Sequence, residues 1–66
     1  MKIRDVLKKL KADGWYVART KGSHRQLHHP SKPGTVTVAG KPSATVKPGT
    51  LKSIWRQAGL EQEPNA

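Results

Sequence analysis

The stretch TKGSHRQLHHP, Thr20 to Pro30, packs three histidines, a Gly-Ser pair, Lys21 and Arg25 between two turn signals. On a helix, His24 and His28 would lie four apart on one face, close enough to chelate a metal ion together. On a strand, side chains alternate, and the same two residues stand four rises of roughly 3.3 Å apart, about 13 Å in all. The flanks favour the strand. Gly22 tolerates positive φ and Ser23 bonds its own backbone, so Lys21-Gly22-Ser23 reads as a turn. Pro30-Ser31-Lys32-Pro33-Gly34 reads as a loop. Between them HRQLHH is short of apolar residues but alternates.

Working outward, WYVART (Trp15–Thr20) carries aromatic and β-branched residues without a helical period and reads as a strand. On the other side TVTVA (Thr35–Ala39) alternates cleanly, with Val36 and Val38 on one face and Thr35 and Thr37 on the other. Three strands joined by short loops predict an antiparallel meander. Further upstream, Ile3, Val6, Leu7 and Leu10 fall at i, i+3, i+4 and i+7, the stripe of an amphipathic helix over residues 2–12. Asp5 suits its positive N-terminal end, and Gly14 offers the left-handed residue that stops it. Downstream of a polar connection, Leu51, Ile54, Trp55 and Ala58 repeat the spacing. Pro48 suits the first turn of that helix, and Gly59-Leu60 matches a Schellman stop.

The expected fold is therefore α+β, in the order α-β-β-β-α, with a three-stranded antiparallel sheet and both helices on one face. Residues 1–60 form the domain, and residues 61–66, EQEPNA, are expected to be a flexible tail because they have nothing to bury.

Leu27 is the one apolar residue in HRQLHH, so its face, shared with Arg25 and His29, should meet the helices. His24, Gln26 and His28 then look outward. First-shell metal ligands must each lie near 2 Å from the ion. Two histidines about 13 Å apart on a strand cannot share one, and adjacent His28 and His29 point oppositely. No metal site is expected.

Composition narrows the chemistry. The chain has 66 residues, and a chain so short buries only about 60% of its extended surface. A deep cavity with a separate cofactor domain does not fit, and no small-molecule cofactor is expected. There is no cysteine, which removes disulfides, thiolate metal sites and thiol catalysis. A small core without such a staple suits a reducing interior, so a cytoplasmic location is expected, and with no apolar run near the roughly 18 residues of a membrane span, no membrane partner is expected. Thirteen Lys and Arg face four Asp and Glu, a formal charge of +9. All of the cations but only two of the acids, Asp5 and Asp13, lie within residues 1–60. A surplus of this size attracts polyanions of any sequence, foremost nucleic acid.

His24 follows the tight Gly-Ser turn and has Lys21, Arg25 and Arg19 as neighbours. Nearby cations favour the neutral imidazole, which accepts a proton. Metal-free RNA cleavage needs a base for the ribose 2′-OH, cations for the charge growing on phosphorus, and an acid for the leaving oxygen. The blander alternative is that His24 only bonds phosphate or caps the turn, which makes the chain a non-catalytic module that binds double-stranded RNA. A DNA-binding helix is disfavoured, since neither helix clusters Arg, Asn and Gln at base-reading spacing.

Four segments carry a family resemblance: LKADGW (Leu10–Trp15), KGSHRQLHHP (Lys21–Pro30), PGTVTV (Pro33–Val38) and PGTLKSIWRQAGL (Pro48–Leu60). In order and spacing the chain resembles the HicA toxins of type II toxin–antitoxin systems over residues 3–60. The resemblance implies a fold like the double-stranded-RNA-binding domain and an endoribonuclease (mRNA interferase) that degrades messenger RNA. It implies a HicB-type antitoxin as partner, and it maps the essential histidine onto His24. The residues expected to contact RNA are Lys21, Ser23, Arg25, Gln26 and His28. One departure stands out. Many relatives place Pro-His just after the third strand, where this chain has Ala39-Gly40. The general acid is thus open among Lys21, Arg25, His28 and water. Trp15 and Trp55 can stack on bases, but their positions favour the core.

Overall fold

Ile3, Val6 and Leu10 line the buried side of the first helix, α1 (Ile3–Ala12), in a computed structural model that describes residues 1–60. Three strands follow, β1 (Tyr16–Lys21), β2 (His24–His28) and β3 (Val36–Ala39), and then α2 (Pro48–Ala58). The sheet is an antiparallel meander in the order β1-β2-β3. The order α-β-β-β-α and the α+β class are as expected, and each element ends within a residue or two of its expected bound. The tail expected at residues 61–66 lies outside the described residues.

Both helices end by the same device. Gly14 takes φ 107° and Gly59 φ 72°. In each case the following residue donates back to the helix, Trp15 N–H to Leu10 O at 3.0 Å and Leu60 N–H to Trp55 O at 2.7 Å. This is the Schellman pattern, and both following residues are buried hydrophobes. At the start of α1 the Asp5 carboxylate accepts from Lys2 N–H at 3.3 Å, and tertiary contacts hold the next residues. Ile3 N–H donates to Ala44 O at 2.9 Å and Arg4 N–H to Pro42 O at 3.1 Å. The connection from Gly40 to Lys47 thereby satisfies two of the four N–H groups that a helix start leaves unpaired.

One apolar cluster unites the faces. Ile3, Val6 and Leu10 of α1 meet Ile54, Trp55 and Ala58 of α2 over Leu27, Val36 and Val38 of the sheet. Trp15, Val46 and Leu60 close its margins. Each fully buried large side chain contributes about 1.5–3 kcal/mol. Trp15 and Trp55 are core residues, both 2% exposed. The helices lean on β3 and leave β1 as an edge whose six residues are all exposed.

Candidate functional site

The β1–β2 hairpin is closed by Gly22 and Ser23 alone, with Lys21 paired directly to His24. Gly22 holds φ 59°, and Ser23 has an ordinary negative φ. Glycine at the first central position of a two-residue hairpin suits a turn whose twist matches the strands. Beyond this turn the register is regular as far as Arg19, which pairs with Gln26, and then shifts, because Val17 pairs with Leu27. Ala18 is thus the extra residue of a β-bulge.

That bulge decides which cations reach the site. Directly paired residues share a face, so Tyr16, Arg19 and Lys21 stand on the same side as His28, Gln26 and His24. Strict alternation would have sent Arg19 and Lys21 to the helix side together with Val17. The bulge rotates the strand by one residue and delivers both cations to the outer face. The third strand continues the rows, with Ala39 beside His24 and Thr37 beside Gln26.

An open groove of about 840 Å³ runs over this corner, lined by Arg19, Thr20, Lys21, Gly22, His24 and Gln26. His24 is exposed, and its imidazole makes no hydrogen bond or ion pair with any described residue. Arg19 and Lys21 have no ion pair among the described residues either. The two described acids, Asp5 and Asp13, belong to the first turn of α1 and to its C-terminal cap. Among the described residues no acid neutralises this face, and the bare imidazole stands at its turn end.

Of the residues expected to contact RNA, Lys21, Ser23, Gln26 and His28 are exposed on or beside this face, as is the expected catalytic His24. Arg25 is not brought together with them. It pairs with Thr20 and Val38 on the helix side, and its guanidinium donates to Gly40 O at 2.9 Å and more weakly to Ser23 O at 3.4 Å. It braces the hairpin turn against the end of β3. Ala39 lies directly across from His24, so the neighbouring position on β3 has no titratable side chain.

His29 is fully engaged elsewhere. Its Nδ1 accepts from Ser31 N–H at 3.0 Å and Lys32 N–H at 3.1 Å, which leaves Nε2–H to donate to Asp13 O at 2.7 Å. The ring stands edge-on to Trp15 with centroids 5.3 Å apart. Lys32 adds an ion pair to Asp13 at 2.6 Å and donates to Ala58 O at 3.1 Å, fastening the β2–β3 loop to the ends of both helices. Among the described residues no three His, Cys, Asp or Glu side chains converge as a metal site. No described helix is long and apolar enough to cross a membrane.

Two residues of the outer face carry more weight here than their sequence suggests. Tyr16 is 51% exposed, its ring edge-on to His28 at 6.3 Å. Arg19 sits in the middle row. Nothing in the sequence of β1 marks the break: Val17 pairs with Leu27 yet stays 36% exposed, so burial does not dictate it.

No curated protein matches the chain closely enough to count as a relative. A family model described as HicA toxin of bacterial toxin-antitoxin matches residues 3–60, nearly the whole chain and all five elements of the fold.

Proposed function

The chain belongs to the HicA family of bacterial toxin–antitoxin toxins, and from that premise we propose that it is a metal-independent endoribonuclease cleaving messenger RNA on the sheet face around His24. The observation that carries the proposal is an exposed imidazole with no partner among the described residues, directly across from Lys21 and one row from Arg19, on a face where no described acid lies. His24 acts as the general base. It removes the proton of a ribose 2′-OH, and the freed oxygen attacks the adjacent phosphorus. The bond from phosphorus to the 5′-oxygen breaks, leaving a 2′,3′-cyclic phosphate and a 5′-hydroxyl. Lys21 and Arg19 stabilise the negative charge that accumulates on the phosphorane oxygens. The leaving oxygen takes its proton from water, since no second imidazole stands beside His24. Ser23 and Gln26 contribute hydrogen bonds to the backbone of the substrate, and Arg25 acts by holding the turn that presents His24.

The protein partner is a HicB-type antitoxin whose acidic surface covers the same face and so denies RNA access to His24. Complementary charge would both speed that association and compete with the polyanion.

The test is incubation of purified protein with RNA in excess EDTA. Wild type is expected to cleave, leaving cyclic phosphate termini. His24→Ala is expected to lose about 100-fold or more of the rate, the span of one general base. If wild type and variant leave the RNA equally intact, catalysis is refuted and a non-catalytic RNA-binding module takes its place.

A further inference from the structure

The outer face extends past the catalytic corner to a second, chemically different place. We infer that Tyr16, backed by His28, is a base-stacking subsite that holds one unpaired base of a single-stranded RNA whose cleaved linkage lies at His24. The inference rests on the ribonuclease reading above and adds a substrate class and a contact to it.

Three observations converge. First, Tyr16 is the most exposed large hydrophobic side chain among the described residues, at 51%. A half-bare aromatic ring on a sheet face forfeits burial unless something covers it. Second, the ring does not lie at random. Tyr16 and His28 are direct cross-strand partners, and their rings meet edge-on at 82°. That contact props the tyrosine ring and leaves its other surface to solvent. Third, charge and aromaticity are laid out in rows, Lys21 with His24, Arg19 with Gln26, and Tyr16 with His28. From the first row to the last is about 13 Å along β2. A stacked strand rising about 3.4 Å per nucleotide needs about four steps to span it, and an extended strand fewer. A chain with phosphate at Lys21 and Arg19 therefore reaches Tyr16 with a base two to four nucleotides from the scissile bond.

The same geometry selects against duplex. Within a double helix, both faces of each base are covered by its neighbours, and side chains meet phosphates and 2′-hydroxyls instead. An exposed ring can collect stacking energy only from a base that is free to splay out, and every base has a π-face, so the subsite tolerates sequence. The occupant is nucleic acid and not an apolar partner, because the ring shares its face with Arg19 and Lys21 and no described acid lies there.

The experiment uses full-length protein carrying His24→Ala, so that RNA survives, and reads fluorescence anisotropy with a labelled ten-nucleotide single strand and a labelled RNA duplex. Adding Tyr16→Ala is expected to weaken single-strand binding about 5- to 100-fold, the range that one base–aromatic stack supplies, with duplex binding unchanged. Tyr16→Phe is expected to bind like the parent. An abasic scan of the single strand should find one position at which the parent drops to the level of Tyr16→Ala. Equal single-strand binding with and without Tyr16→Ala overturns the subsite, as does a parallel loss on single strand and duplex. A Tyr16→Ala defect confined to antitoxin binding also overturns it and gives the ring to the protein partner. Cleavage by wild type separates the two levels. If wild type cleaves RNA but Tyr16→Ala changes neither cleavage nor binding, only the stack fails. If wild type neither binds nor cleaves RNA, the ribonuclease reading fails with it.

Discussion

Replacing two histidines five residues apart with alanine should have opposite consequences. The His29 ring accepts two backbone N–H bonds, donates one bond to Asp13 O, and packs edge-on to Trp15. At about 1 kcal/mol net for each of the three hydrogen bonds and about 0.5–1.5 kcal/mol for the aromatic pair, the ring supplies up to about 4.5 kcal/mol. Water replaces some of these bonds at exposed Ser31, so His29→Ala should cost about 2–4 kcal/mol. A chain of this length has roughly 3–10 kcal/mol of stability in total. For a domain this small, each kcal/mol lowers Tm by about 4–8 °C, so the melting point should fall by about 10 °C or more. His24 is exposed and makes no hydrogen bond, ion pair or ring contact with any described residue, and His24→Ala should stay within about 0.5 kcal/mol, a few degrees at most. Circular dichroism melts at 222 nm of the two variants beside wild type make the comparison. A His29→Ala melt within 3 °C of wild type, or a His24→Ala melt lowered by 10 °C, would refute the division of labour between these residues.

Two further outcomes follow from the same contacts. At Gly14, with φ 107°, an added Cβ would approach His29 Nε2 to 2.6 Å. Strain and collision together put Gly14→Ala at about 2–4 kcal/mol destabilising, read as a fall of about 1 M or more in the urea midpoint. The two strand arginines should also separate. Arg19→Ala is expected to reduce the slope of log affinity for single-stranded RNA against log salt by about 0.7, one phosphate contact. Arg25→Ala is expected to leave that slope unchanged and to lower stability by about 1–2 kcal/mol through the lost bond to Gly40 O; the reverse pattern in a salt titration would contradict the faces assigned to them.

Local chemistry sufficed for most of the architecture. The spacing of Ile3, Val6 and Leu10 and of Leu51, Ile54, Trp55 and Ala58 can bury a continuous stripe only on helices. The Gly14-Trp15 and Gly59-Leu60 pairs end those helices whatever surrounds them. Leu27 is the sole apolar residue of its strand, so one burial decision set the direction of all its neighbours and turned His24 outward. These inferences involve residues near in sequence, with a period of 2 or 3.6 and a single partner surface.

Tertiary structure decided what depended on two segments meeting. Ala18 carries no mark of a bulge; it becomes one because Val17 pairs with Leu27 while Arg19 pairs with Gln26, and the skipped pairing turns Arg19 and Lys21 to the outer face. Arg25 reads as a second cation beside the imidazole, yet it stands on the Leu27 side of β2, and the carbonyl that holds its guanidinium there, Gly40 O, is fifteen residues away. His29 looks like its neighbour His28 until Asp13, Ser31 and Lys32 surround it. Periodicity places a side chain on a face, but its partner there is chosen by chain folded in from a distance, because a hydrogen bond or a desolvated charge is settled by what lies within about 3 Å of it.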